Sequence, residues 1–594
     1  MAPLLGVLRH RKFAALLTAL ALVAAVGLAL TGSQGTAQAT AGGQTAARAA
    51  AARTVDASSR TTVGAVSPAL TCADVAQLDL GGIPGAPTEI SSAKPMAAGD
   101  NPLGSWAACD VQGIIAPQIQ FELRLPMTGW QQNYLQVGCG GNCGMVNLGN
   151  VPAASGCTPL TNGAFAVATD NEGHDSSAGV FSTDPTLKVD FGYKSDHELA
   201  LAAKEIIRRF YGQPATHAYF SGCSQGGHEA LTEAQRYPAD FNGIVAGAPA
   251  NNWTALNAFS HAWNAQAVFP DGGDATLTTA DLAPLHAAVL KGCGATDGVV
   301  ADPLSCTWDP ASIACASGQT STADDFCLTA AQVRTLHRLY SGPRDQSGQL
   351  LYPGWQLRGS ELNWAGVVVP TTADGSSADQ GIATETLRYQ VYPQARPDLT
   401  YKDVEFTDTS FEQIMQANEG TMDATDPDLS AFKAAGGKLI LWHGLADQHI
   451  PSVGTMAYYQ AVEKAMGGAA STESFARLFL LPGVAHCGGG QGPDSFDGLS
   501  AVVDWVTQDK APSSLLTETL DSSGQTTASR PAYPYPYVAV DTTGGPAGQA
   551  GSYTPVLSTA EQDLHVDYLG SFRSGYETVS GWVDGRWVTR AGKN

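Results

Sequence analysis

Two stretches of the chain carry the same hydrophobic rhythm. In the first, from about 110 to 250, short apolar runs alternate with a longer amphipathic one. Residues 121–126, 134–137, 164–169 and 216–220 are short apolar or alternating runs, the pattern of strands. Across 194–211 the apolar positions fall at helical spacing instead. Leu199, Ala202, Ala203, Ile206, Ile207 and Phe210 share one side. The second stretch repeats the scheme, with a strand at 438–442, a helix near 458–466 and a strand at 475–481. Alternating strands and helices predict an α/β fold, a mostly parallel sheet with helices on both faces.

Between the two stretches, 251–430, the rhythm breaks. This region is rich in Gly, Pro and Asp, holds four cysteines, and has helix-like pieces such as 329–340. It predicts a large inserted lid subdomain interrupting one catalytic core, 66–250 and 431–540. Residues 40–65, rich in Ala, Thr, Gly and Ser, read as a mobile tail. Residues 541–594 read as a C-terminal extension without recognisable chemistry.

Composition narrows the function. A 594-residue chain that is 44% hydrophobic has ample core, which excludes a wholly disordered chain or a disulfide-only mini-protein. The net charge of -23 argues against nucleic acid as a partner. Arg9, Arg11 and Lys12 precede an apolar run, 13–30, and Ala37-Gln38-Ala39 follows. A basic start, an apolar middle and an A-x-A end describe a secretory signal peptide, 1–39. The mature protein is expected to be extracellular and off the membrane, since no second long apolar run exists. The 11 cysteines of an exported chain read as a disulfide framework, with an odd thiol left over. Cys139-x3-Cys143 lacks the second His/Cys pair of a zinc finger, so no zinc is expected there.

The chemistry centres on Gly222-Cys223-Ser224-Gln225-Gly226. An apparent strand, 217–221, precedes it and a helical stretch, 228–237, follows. Strand, glycine turn and helix form a nucleophile elbow, with Ser224 presented at a helix N-terminus. A serine nucleophile needs a base, and the base an orienting carboxylate, in the chain order Ser, acid, His. Asp447 follows the strand 438–442, and His486 lies in a glycine-rich loop after 475–481. They are the candidate acid and base. The rivals are His443 as base and Asp494 or Asp497 as acid; the bland reading of His443 is a loop residue capping a strand end. Cys223 precedes the nucleophile and Cys487 follows the base. A disulfide between them would hold Ser224 and His486 within reach, with Cα atoms about 4.4–6.8 Å apart.

At these residues the sequence resembles the tannase and feruloyl esterase family, over roughly 70–540. The segments that carry the resemblance are 190–198, 219–253 (YFSGCSQGGHEALTEAQRYPADFNGIVAGAPANNW), 328–364, HGLADQHI at 443–450 and PGVAHCGGGQGPD at 482–494. The resemblance implies an α/β-hydrolase core with a lid and a secreted serine carboxylesterase. Ser224, Asp447 and His486 are its implied catalytic residues. The oxyanion hole is implied at the N–H of Gln225 and of a glycine in 138–141, with Gly140 chosen. Implied disulfides are Cys72–Cys109, Cys223–Cys487, Cys293–Cys306 and Cys315–Cys327, leaving Cys139, Cys143 and Cys157, two of which are free to pair. Its substrates are implied to be small aromatic esters, gallate or feruloyl, derived from plant polyphenol or cell wall. Alternatives are a terephthalate-type or short-acyl esterase, and a secreted binding protein on the same fold. A peptidase has no support beyond the shared triad. No cofactor is required by this chemistry. Many members hold a structural calcium in a lid loop. Here 293–303 keeps Asp297 and Asp302 but lacks the earlier aspartates, short of the six to eight oxygens calcium takes. The family's C-terminal cysteine is absent, Arg530-Pro531-Ala532 standing there. Trp263, Trp355 and Trp364 are candidates to stack on an aromatic acyl group, or to form lid core.

Overall fold

The computed structural model describes residues 64–566, apart from a few isolated positions, and the strand pair Ser580–Val583 and Arg586–Thr589. The expected signal peptide, 1–39, lies outside the described residues, as does nearly all of the tail 40–65. All described residues belong to one unit, Thr62–Asn594. Among them, no helix is long and apolar enough to cross a membrane.

Nine strands form the main sheet: β1 Thr88–Met96, β2 Ala108–Ile115, β3 Ile119–Pro126, β4 Asn133–Val137, β5 Phe165–Asp170, β6 His217–Cys223, β7 Gly243–Gly247, β8 Lys438–Gly444 and β9 Ala476–Leu481. Their order is β1-β2-β3-β5-β4-β6-β7-β8-β9. From β5 to β9 every neighbouring pair is parallel. The β1–β2, β2–β3 and β3–β5 pairs are antiparallel. Alternation along the parallel strands separates two cores. Ile244, Ala246, Leu439, Leu441, Leu478 and Leu480 pack on the helices α1 Ser195–Tyr211, α2 Gln225–Arg236 and α3 Ser452–Ala465. Val245, Ile440, Trp442, Phe479 and Leu481 pack on the opposite face, against Leu499, Val502 and Trp505 of α4 Gly498–Gln508. This is the α/β-hydrolase architecture, helices on both faces of a mostly parallel sheet.

Residues 248–437 run between the neighbouring strands β7 and β8, so the main sheet continues across them without a break. The stretch is largely helical and builds two further cores, the first shared with Phe181, Phe191 and Ile450 from outside it. One gathers Phe259, Tyr352, Leu387 and Phe411; the other gathers Leu282, Trp308, Leu336 and Trp364. Trp364 is fully buried, with its indole N–H on Gln356 Oε1 (3.1 Å) and Ser360 Oγ (2.9 Å). Trp263 meets Phe406 edge-on and carries the Arg338 guanidinium over its ring, and Trp355 packs half-buried against the first sheet core. After α4 the chain makes two small sheets, Leu515–Leu520 with Thr526–Ala532 and Tyr537–Asp541 with Tyr553–Leu557. The 540/541 boundary therefore falls inside the second of these.

Five disulfides form: Cys72–Cys109, Cys139–Cys143, Cys223–Cys487, Cys293–Cys306 and Cys315–Cys327. Cys157 keeps its thiol, buried, with Ser500 Oγ 3.4 Å from the sulfur.

Candidate active site

Ser224 turns the chain from β6 into α2. Its φ of 68° and ψ of -119° lie outside the region a side-chain-bearing residue normally occupies. The surroundings hold it there. Its N–H donates to Gly247 O (3.0 Å) and its carbonyl accepts the Ala250 N–H (3.1 Å). A Cβ on Gly222 would stand 2.2 Å from Gly226 O, and one on Gly227 2.2 Å from Gly247 O. Only glycine lets helix and strands approach so closely.

The candidate base, His486, arrives from β9. The loop after Leu481 folds back on itself through Gln491 N–H to Gly483 O (2.8 Å) and Ala485 N–H to Gly489 O (3.1 Å). This brings His486 Nε2 to 2.9 Å from Ser224 Oγ. His486 Nδ1 lies 2.8 Å from Asp447 Oδ2. Asp447, in the turn after β8, has a fully buried side chain. Its Oδ1 accepts the N–H groups of His449 (2.8 Å) and Ile450 (2.9 Å). Burial alone pushes the Asp447 carboxyl up. The charge of His486 and the hydrogen bonds of His443 and His486 outweigh it, holding the carboxyl far below its ordinary range. Ser, His and Asp thus form one hydrogen-bonded chain at the carboxyl ends of parallel strands, the arrangement of a charge-stabilised serine nucleophile.

The rivals have other positions. Asp494 accepts the Gly489 N–H (2.6 Å) and shapes the base loop. Asp497 caps α4 through the Ser500 N–H (2.8 Å). His443 is buried, and its Nε2 lies 3.1 Å from Asp447 Oδ2, the oxygen that also faces His486.

Cys223 and Cys487 bracket this chain, with Cα atoms 5.9 Å apart. The loop after β4 lies beside the elbow, where Cys139 O accepts the Gly226 N–H (2.8 Å). Gly140 stands in open space, next in the chain, and Gln225 opens α2. Sequence reasoning left the Cys139–Cys143 pair open; it closes this glycine loop into a ring. Glu229 of α2 braces the ring by accepting the Cys139 N–H (3.1 Å). The insertion reaches the same loop: Gln390 Nε2 donates to Asn142 Oδ1 (3.0 Å) and Gln390 Oε1 accepts the Trp253 indole N–H (3.2 Å). It also reaches the acid turn, through Asn363 to Ala446 O (2.9 Å) and Gln356 to Gln448 O (3.1 Å). The insertion's contacts have no signal in local sequence pattern, because they join residues 83 to 248 positions apart.

Behind the glycine loop, the carboxylates of Asp170, Glu172 and Asp196 gather, and Glu172 also approaches Glu229. Burial pushes all four up, Asp196 to about 6. Cys139 and Cys143 lie against Glu172 and Glu229, but their sulfurs are spent on each other.

The calcium loop implied by resemblance does not fit the ion. Asp297 Oδ2 accepts from Arg530 Nη1 (2.7 Å) and Tyr553 OH (2.9 Å). Asp302 Oδ2 accepts from Ser305 Oγ (2.6 Å) and Ser558 Oγ (2.8 Å). The guanidinium of Arg530, 3% exposed, also donates to Ala539 O (2.7 Å). Asp297 is thus already paired with a guanidinium.

The sequence profile described as Tannase and feruloyl esterase matches residues 103–556. The chain is 32% identical over 502 residues to mono(2-hydroxyethyl) terephthalate hydrolase of Piscinibacter sakaiensis, covering 73% of this chain and 82% of that protein. It is 31% identical over 416 residues to the probable feruloyl esterase B-2 of Neosartorya fischeri, covering 66% and 75%. The crystal structure of feruloyl esterase B from Aspergillus oryzae superposes with a TM-score of 0.68 at 26% identity, covering 79% of this chain and 97% of that one.

Proposed function

Since the chain belongs to the tannase and feruloyl esterase family and is a carboxylic ester hydrolase, we propose that Ser224, His486 and Asp447 carry out the hydrolysis through an acyl-enzyme. The observation that carries this reading is the unbroken hydrogen-bonded chain from Ser224 Oγ through His486 to the buried Asp447. Ser224 Oγ attacks the ester carbonyl as His486 Nε2 takes its proton. Asp447 keeps the imidazole oriented and stabilises its positive charge. The N–H of Gln225 and of Gly140 receive the oxyanion. His486 then protonates the departing alcohol, and water repeats the sequence on the acyl group.

The insertion serves as the lid of this site, reaching both the glycine loop and the acid turn. The substrates are small aromatic esters of the gallate or feruloyl class. A monoester of terephthalate is the second reading, favoured by the extent of similarity to the hydrolase of that substrate. The chain acts outside the cell, in keeping with its five disulfides. Methyl gallate, methyl ferulate, mono(2-hydroxyethyl) terephthalate and a nitrophenyl butyrate, assayed side by side, test the substrate class. An aromatic acyl ester is expected to lead in kcat/KM by about 10-fold or more, roughly 1.4 kcal/mol of transition-state preference. A lead for the butyrate would discard the aromatic reading.

Arg530 replaces calcium as the cation of the 293–303 loop. Chelation with EDTA is therefore expected to leave Tm unchanged. Arg530→Ala leaves Asp297 without its buried partner, a change that costs about 3–5 kcal/mol, and lowers Tm by several degrees. A calcium-dependent rise in Tm, or one calcium per chain by elemental analysis, would contradict this.

A further inference from the structure

Asp447 has two histidines, and only one of them faces the serine. His443 Nε2 lies 3.1 Å from Asp447 Oδ2 and 2.9 Å from Ile450 O. Its Nδ1 lies 2.8 Å from Thr455 Oγ1 of α3. The ring is fully buried, as is the Asp447 side chain. We propose that His443 is a positioning residue for the reaction: it fixes Asp447 so that Oδ2 faces His486 in a single orientation. The assignment rests on the Ser224–His486–Asp447 reading.

The chemistry of the partners fixes the proton. A carbonyl oxygen only accepts, and an ionised carboxylate only accepts, so Nε2 of His443 carries a hydrogen and donates to both. It is therefore a donor toward Asp447, with no lone pair there to take a proton from substrate. Its burial keeps it out of reach of an ester. These two facts remove it as a base and give it a different task. A carboxylate offers about four acceptor sites. Here Oδ1 takes the backbone N–H of His449 and Ile450, while Oδ2 takes His486 and His443. The set is full, and its four donors come from the turn after β8, from β8 itself and from the loop after β9. Rotation of the carboxylate would forfeit several of these hydrogen bonds in a site that excludes water. Thr455 holds the far edge of the ring, so the orientation is inherited from α3.

Charge follows from the same geometry. Each donor on Asp447 spreads its negative charge, leaving less to favour the imidazolium of His486. Removing the His443 donor concentrates that charge on His486. The acid limb of kcat/KM, which reports protonation of the base in the free enzyme, then moves to higher pH.

The test compares His443→Ala, His443→Gln and Thr455→Val with the unmodified protein and with Ser224→Ala, using methyl ferulate or whichever ester is cleaved. His443→Ala is expected to lose about 10–100-fold in kcat with KM within about 2-fold, because orientation and not binding is lost. Its acid limb is expected to rise by about 0.5–1 pH unit. His443→Gln, whose amide N–H can occupy the place of Nε2–H, is expected to recover most of kcat and the original acid limb. Thr455→Val is expected to lose about 3–10-fold in kcat at constant KM. Unaltered kcat and pH profile in His443→Ala overturn the assignment; should that variant not fold, the same result in Thr455→Val overturns it. Equal losses in Ala and Gln with an unmoved acid limb also overturn it, since they describe a packing role. Activity retained by Ser224→Ala would instead sink the triad reading beneath it.

Discussion

Replacing Ser224 with alanine is expected to lower kcat by about 10⁴-fold or more, and to abolish labelling by a fluorophosphonate. At about 1.4 kcal/mol per decade this is upwards of roughly 5.5 kcal/mol of lost transition-state stabilisation. The expectation follows from position. Ser224 is held at φ 68° by the elbow, its Oγ lies 2.9 Å from His486 Nε2, and no other hydroxyl shares that contact among the described residues. Methyl in place of hydroxyl leaves His486 and Asp447 intact but gives the base nothing to activate. Residual rate comes from the oxyanion donors and from substrate binding, which survive the change. The three residues act as one unit, so His486→Ala added to Ser224→Ala is expected to cost little more than either alone. Asp447→Asn is expected to lose about as much as the serine variant, because an amide can donate to Nδ1 and stabilise the wrong tautomer. Stoichiometric labelling that persists in Ser224→Ala would place the nucleophile elsewhere. A folded wild type that takes up no label would favour the non-catalytic binding protein.

Removing the Cys223–Cys487 disulfide is expected to lower stability and activity together. The bridge spans 264 residues. A crosslink over so long a loop restricts the unfolded chain enough to stabilise the fold by up to about 5 kcal/mol. For a chain of this size the double variant Cys223→Ala/Cys487→Ala should lose up to about 4–5 °C in Tm. The loss of activity has a separate origin. Strands β6 and β9 are three places apart in the sheet, with β7 and β8 between them. At about 4.8 Å per strand their ends are roughly 14 Å apart, so the sheet alone does not bring the elbow to the base loop. The disulfide closes that gap beside the reacting atoms. A kcat reduced by about 10-fold or more is expected, measured at a temperature where circular dichroism shows the variant folded. An unchanged Tm with an unchanged kcat would reduce the bridge to an incidental crosslink.

Much of this molecule was legible before any coordinates. The strand and helix periods announced most of the parallel part of the sheet, because each buried element must repeat its apolar residues at its own pitch; β7, the short Gly243–Gly247, was not among the runs read. The elbow was legible for a local reason too: glycine, serine and glycine between a strand and a helix leave few conformations. Chain order and their places after strands singled out Asp447 and His486 as candidates, and folding joins them to Ser224 in one hydrogen-bonded chain. The antiparallel strands β1 and β2 passed unseen. β1 is half-solvated, with apolar and polar positions mixed along Thr88–Met96, and no α-helix separates β1, β2 and β3, only the stretch 97–107 with a 3₁₀ turn at Ala98–Asp100 and the turn 116–118, so no period stands out. The role of His443 was equally hidden. In the sequence it competes with His486 as a histidine near an aspartate, and only the burial of its ring against Asp447, Ile450 and Thr455 separates a donor from a base. The partner of Asp297 was hidden likewise, since Arg530 lies 233 residues away. Local spacing therefore determined which chemistry this chain carries, since turns and periods are written in neighbouring residues. Tertiary structure decided which groups serve it, because hydrogen-bond partners, burial and charge are set by residues that only folding brings together.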